Sequence, residues 1–107
     1  MSHHCHAHGC DTTTAPRYFM CPPHWRIVPK AMQQAIYDVY VPGQENRKDP
    51  TWDYLYVSQS IADWVAWTEG TEIRHSYAED FRERASDAAI ETVAQLMADH
   101  PIQKRIA

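Results

Sequence analysis

The chain has 107 residues, of which 44% are hydrophobic and 22% charged, and its net charge is −4. That length suits one modest domain, and the composition excludes wholesale disorder. No apolar run approaches the roughly 18 residues that cross a membrane, and histidines stand at the N-terminus where an export signal carries a basic region and an apolar stretch, so a cytoplasmic protein is expected.

Residues 1–24 are rich in His, Cys and Thr and show little apolar periodicity, so on their own they bury too little surface to fold. Asp11 to Ala15 reads as a loop, and Arg17-Tyr18-Phe19-Met20 as a short strand leading into Cys21. From Cys21 the pattern turns helical, with Pro22 and Pro23 suited to a first turn. Pro29 to about Tyr40 reads as a helix with Met32, Ala35, Ile36 and Val39 on one face, ended by Pro42-Gly43. A polar connector over 44–50 precedes a third helix, with Asp49 as N-cap, Pro50 at its first position and an end before Gly70. Residues 76–98 read as one last long helix, with Ser76 and Glu79 as a capping box and an apolar face through Phe81, Ala85, Ala88, Val93 and Leu96. Pro101 stops it.

The three cysteines cannot all pair within one chain, and all lie in the first 21 residues. A secreted disulfide framework shows an even, better-spread set; clustered thiols beside histidines point to metal. Cys5 and Cys10 are separated by four residues and Cys21 and His24 by two, with ten residues between the pairs. Two close pairs joined by a loop are what a closed tetrahedral site needs, and three thiolates with one imidazole suit zinc over magnesium or calcium. Gly9 permits the tight backbone of such a knuckle. His3, His4, His6 and His8 crowd it, and any of them is a candidate to replace or supplement Cys5. Four ligands close the site, so the zinc is expected to be structural.

The run Cys5-His6-Ala7-His8-Gly9-Cys10, followed by Phe19-Met20-Cys21-Pro22-Pro23-His24-Trp25, Val28-Pro29 and a helix ending in Tyr40-Val41-Pro42-Gly43-Gln44, resembles a family of small zinc-binding proteins, mostly of uncharacterised role, from bacteriophages and other mobile elements. The similarity covers about residues 5–65. It implies a phage or mobile-element origin and a short zinc knuckle, and it brings no activity with it.

Other chemistries find less support. An HNH-type nuclease needs a metal-binding His and a general-base His in a ββα unit, whereas His75 and His100 are remote from the knuckle and lack a strand context. The thiols are committed to metal, and no base is suggested for Ser58, Ser60 or Ser86. On the third helix, Tyr54, Val57, Ile61, Trp64 and Val65 form a core stripe, while Trp52, Tyr56, Asp63 and Trp67 fall on the opposite face. That second face either packs on the last helix or under the knuckle, or presents aromatic anchors to a partner. Residues 1–50 hold five Lys/Arg against four acids, and residues 51–107 five against ten. A nucleic-acid footprint is thus absent overall, and such binding would rely on Arg17, Arg26, Lys30, Arg47 and Lys48 with Tyr18 and Trp25 interleaved.

The expectation is a small, mainly α-helical, zinc-stabilised domain. It comprises a treble-clef-like knuckle over 1–28 and a region of about three helices over 29–107 packed with it. The expected function is non-enzymatic: a phage-type protein that binds a host protein or complex in the host cytoplasm, as anti-CRISPR inhibitors of host defence do, through Trp52, Tyr56 and Trp67. The alternative is a small regulatory zinc finger that binds nucleic acid through Arg26 and Lys30.

Overall fold

The longest helix is the hub onto which the other elements pack. A computed structural model describes residues 3–15, 18–42 and 50–102. In chain order these form β1 (His3–His4), β2 (Thr13–Thr14), α1 (Pro22–Ile27), α2 (Lys30–Val39), α3 (Trp52–Glu69), α4 (Tyr77–Phe81) with a 3₁₀ turn over Arg82–Arg84, and α5 (Asp87–Asp99). The protein is mainly helical, and α3 packs against α2, α4 and α5. No helix among the described residues is long and apolar enough to cross a membrane.

The N-terminal segment is a small loop held by backbone hydrogen bonds. β1 and β2 pair antiparallel, with His4 opposite Thr13. The Cys5 N–H then donates to Thr12 O at 2.9 Å and the His6 N–H to Phe19 O at 3.0 Å. The strand therefore lies at Thr13–Thr14, in the stretch expected to be loop. Tyr18 to Met20, expected as a strand, makes no ladder of its own and bends into Cys21; Arg17 lies outside the described residues. β-branched threonines fit a pleated pair, which is the reason for the exchange.

Pro22 and Pro23 occupy the start of α1, where their missing N–H groups cost nothing. Val28 is extended (φ −71°, ψ 121°) because Pro29 excludes the helical region for the residue before it, and this separates α1 from α2. α2 buries Met32, Ala35 and Ile36, as its spacing predicts, and Gln33 Nε2 donates to Trp25 O at 3.0 Å to tie the two helices. Tyr40 is already extended, so α2 ends before Pro42; Gly43 is outside the described residues.

α3 starts at Thr51, whose hydroxyl accepts from the Tyr54 N–H at 3.0 Å. The expected cap, Asp49, lies outside the described residues, and Pro50 precedes the helix rather than opening it. Gly70 closes it in the left-handed region (φ 74°), with Thr71 N–H bonded back to Ala66 O at 2.8 Å. Between these caps α3 is buried on most of its circumference, including Tyr56, Val57, Ile61, Trp64 and Val65. The Trp64 indole N–H donates to His100 O at 2.9 Å, so its one polar atom is satisfied.

The single long helix expected over 76–98 is divided. Ala85 and Ser86 are extended, and Ser86 caps a new helix by accepting from the Ala89 N–H at 3.1 Å. Asp53, at the start of α3, takes both the Ser86 N–H and its hydroxyl, each at 2.7 Å, and so stabilises the break. The phase shift buries Ala89 with Val93 and Leu96 and leaves Ala88 exposed. Ser76 makes no cap hydrogen bond; its hydroxyl is turned to Asp63, to which it donates.

Knuckle and helices share one core: Cys5, Ala7, Phe19, Met20 and Cys21 are buried in the same cluster as Met32, Ile36 and Ile61. Substitution Asp53→Ala is expected to lower the unfolding free energy by about 1 kcal/mol and to speed amide exchange in the first turn of α5. Urea unfolding and hydrogen exchange measure the two effects.

Candidate metal centre

Cys5 and Cys10 are presented by the loop after β1, and Cys21 and His24 by the entry to α1. One ligand atom from each lies within 4.8 Å of the other three. His24 Nδ1 is 3.2 Å from Cys21 Sγ and 3.6 Å from Cys5 Sγ, and the sulfurs of Cys10 and Cys21 are 4.0 Å apart. A disulfide would need about 2.05 Å, so all three cysteines are free thiols. A tetrahedral ion bound about 2.3 Å from sulfur and about 2.0 Å from nitrogen requires edges of about 3.8 Å between sulfurs and about 3.6 Å between sulfur and nitrogen. The sulfur–sulfur separation is slightly wider, and the sulfur–nitrogen separations are equal or shorter, so the four residues could bind a metal ion with small adjustments.

Local backbone explains the convergence. Cys10 N–H donates to Ala7 O at 3.1 Å, closing a turn that Gly9 completes at φ 77°, a conformation other residues adopt only with strain. Ala7 N–H points at Cys5 Sγ at 3.5 Å. One helical turn then sets His24 three residues beyond Cys21, on the same face.

The thiols are electrostatically unequal. Burial pushes Cys5 up to about 11, despite backbone hydrogen bonds that favour its thiolate. Burial acts the same way on Cys10, but hydrogen bonding with the Thr12 hydroxyl and backbone, with help from the neighbouring thiols, outweighs it and brings Cys10 down to about 7. A bound cation favours every thiolate and offsets the cost of burying Cys5.

Of the remaining knuckle histidines, His4 is exposed and His6 is stacked on Phe19, with centroids 4.8 Å apart and planes at 6°. His8 Nε2 lies 2.6 Å from Asp63 Oδ1. None of these three belongs to the donor cluster, and no second cluster of this kind occurs among the described residues.

Two acids from α3 reach the knuckle. Glu69 Oε1 is 3.2 Å from His24 Nε2, the ring nitrogen facing away from the thiols. Such a contact fixes the tautomer, leaving Nδ1 to ligate. Asp63, 3% exposed, accepts from the Ser76 hydroxyl at 2.6 Å and holds His8 with its other oxygen. The serine bonds the carboxylate and not the histidine, so this trio lacks the Ser–His contact of a nucleophilic triad. Both acids carried a signal in the sequence. Asp63 interrupts the apolar run Ile61 to Ala66, and Glu69 sits at a helix C-terminus, where the dipole disfavours an acid.

The aromatic residues expected to meet a partner share one side of α3 but differ in exposure. Tyr56 is buried, whereas Trp52 and Trp67 are about half exposed and lie 15 residues apart, some 22 Å along the helix axis. Trp52 packs on Phe81 and under the Arg84 guanidinium, 4.9 Å from its ring centroid. Arg26 and Lys30 are exposed at the start of the α1–α2 layer; Arg17, Arg47 and Lys48 are outside the described residues. Sequence reasoning missed a cleft of about 500 Å³ in that layer, lined by Tyr18, Met20, Trp25, Ile36, Tyr37 and Tyr40 among others. Comparison with models of protein families, with curated proteins and with solved structures finds no match to this chain.

Glu69→Ala is expected to weaken metal binding by about 10- to 100-fold without unfolding α3, as read by competition with a chromogenic chelator. Because buried Cys5 must lose its proton to ligate, affinity should rise from about pH 6 to about pH 8; an affinity flat across that range argues against thiolate ligation.

Proposed function

We propose that this is a zinc-stabilised, non-enzymatic binding protein of phage or mobile-element type that acts by occupying a host macromolecule. The observation that carries the reading is the four-donor cluster. Three thiols and one imidazole are the donor set of structural zinc, and four protein ligands fill a tetrahedral ion, leaving no position for substrate. The knuckle is treble-clef-like in the sense that a turn supplies one ligand pair and the entry to a helix the other.

The zinc serves the surface by holding the knuckle on the helices. The aromatic cleft has one wall from the knuckle side, Tyr18 and Met20, and another from α2, Ile36, Tyr37 and Tyr40. Its walls are stiffened by edge-to-face packing of Trp25 on Tyr37 at 6.1 Å. Tyrosine and tryptophan are the residues that anchor protein partners, and they make this cleft a better contact surface than Trp52 and Trp67. Acids exposed on α4, the 3₁₀ turn and α5 (Glu79, Asp80, Glu83, Asp87, Glu91) suit a basic partner surface, and blocking a host defence complex, as anti-CRISPR proteins do, is the form we favour.

A second reading is favoured by Arg26 and Lys30, exposed beside Trp25: the same layer would bind single-stranded nucleic acid by stacking and phosphate contact.

Purified protein is expected to carry one zinc per chain by elemental analysis, and Cys21→Ser to lose it together with order over residues 3–24. A Cys21→Ser variant that retains full zinc would sink the ligand set. Fluorescence anisotropy with labelled DNA and RNA at low salt is expected to show no binding. Tight binding that falls steeply with salt and is lost in Arg26→Ala and Lys30→Ala would replace the protein-binding reading with the nucleic-acid one.

A further inference from the structure

Asp63 is a carboxylate buried in the middle of α3, and the zinc reading assigns it no role. A carboxyl group that deep must have its oxygens satisfied, because an unpaired one is costly to keep from water. Here Oδ2 takes the Ser76 hydroxyl at 2.6 Å and Oδ1 takes His8 Nε2 at 2.6 Å. The first partner comes from the entry to α4. The second comes from the knuckle and adjoins the metal-binding turn: Gly9 follows His8, and Cys10 follows Gly9.

The turn is anchored at its start, where Ala7 is buried in the common core. Its own hydrogen bond, Cys10 to Ala7, is internal, and a Cβ added at Gly9 would meet Thr71 Cγ2 only at ordinary contact distance, 3.6 Å. Cys10 is the least buried of the three thiols. The placement of its sulfur over Cys21 therefore depends on where Ala7 and His8 are held. The chain Ser76–Asp63–His8–Gly9–Cys10 runs unbroken from the start of α4, across α3, to the metal ligand.

We propose that His8 and Asp63 are a positioning pair for the metal centre, a clasp through which zinc occupancy and the packing of α3 control each other. The inference rests on the zinc reading. Zinc holds Cys10 and so keeps His8 on the buried carboxylate; the carboxylate in turn holds the turn in the shape zinc needs. Linkage makes the effect reciprocal: whatever the clasp adds to zinc affinity, zinc adds to the clasp. Glu69, which touches His24 directly, acts on the ligand itself, whereas this pair acts on the backbone that carries Cys10.

Zinc affinity measured by chelator competition tests the pair in wild type, His8→Ala, His8→Gln, Asp63→Asn and the double variant His8→Ala with Asp63→Asn. His8→Ala and Asp63→Asn are each expected to weaken zinc on the order of ten-fold, with the double variant no weaker than the poorer single one. His8→Gln keeps an N–H for Asp63 and is expected to recover part of the loss. A merely structural contact would instead lower the melting temperature of the chelated protein and leave zinc affinity alone. If Asp63→Asn fails to fold, the two His8 variants, altered in a half-buried loop, decide the matter. Wild-type zinc binding with His8→Ala within about two-fold of it overturns the clasp and leaves the zinc reading standing. A wild-type protein that takes up no zinc overturns both.

Discussion

Three sulfurs and an imidazole nitrogen converge on one point in this protein, and thiolates packed so closely repel one another unless a cation stands between them. The segment that supplies two of the four donors has almost no apolar surface of its own. Its buried side chains, Cys5 and Ala7, are small and enter the common core only because the loop is pinned to the helices behind it. That convergence joins the loop after β1 to the entry of α1, while Pro29 and the Gln33–Trp25 hydrogen bond set α1 against α2. A metal held by all four donors would cross-link that segment to α1, restricting the unfolded chain as well as ordering the folded one.

The second organising feature is the extent to which α3 is enclosed. Most helices bury a stripe; this one buries residues around most of its circumference, and it carries acids at three separate depths. Asp53 at its start caps α5 through Ser86, Asp63 in its middle holds His8 and Ser76, and Glu69 at its end meets His24. Each carboxylate is spent on another element, and none makes an exposed ion pair with a lysine or arginine among the described contacts. Polar groups buried with defined partners specify one arrangement more sharply than apolar contacts of similar area, because any other arrangement leaves them unpaired.

The surface that results differs from the one an aromatic count suggests. Trp52 and Trp67 are conspicuous in the sequence, yet one serves as a platform for Arg84 and the two stand at opposite ends of α3. The tyrosines of the α1–α2 layer are individually unremarkable and are gathered into a concave patch only by the fold. A cleft assembled from knuckle and helix depends on what holds the two together, and the four donors lie where a bound ion would do so.

Much was legible from residues alone. The donor set followed from spacing, because chelating pairs need ligands a turn apart whatever the rest of the chain does. The buried face of α2 and the stop at Gly70 followed from helical period and from the φ only glycine takes freely. Tertiary structure decided what depends on residues distant in sequence. The last helix breaks at Ser86 because Asp53, 33 positions earlier, supplies the acceptors that make a new start favourable. Ser76 turns its hydroxyl to Asp63 and makes no cap hydrogen bond, and Glu69 becomes a partner of His24 because α3 ends beside the knuckle. Local rules rank the conformations a segment can take by fractions of a kcal/mol to about 1 kcal/mol each, and one long-range contact to a carboxylate is enough to reorder them.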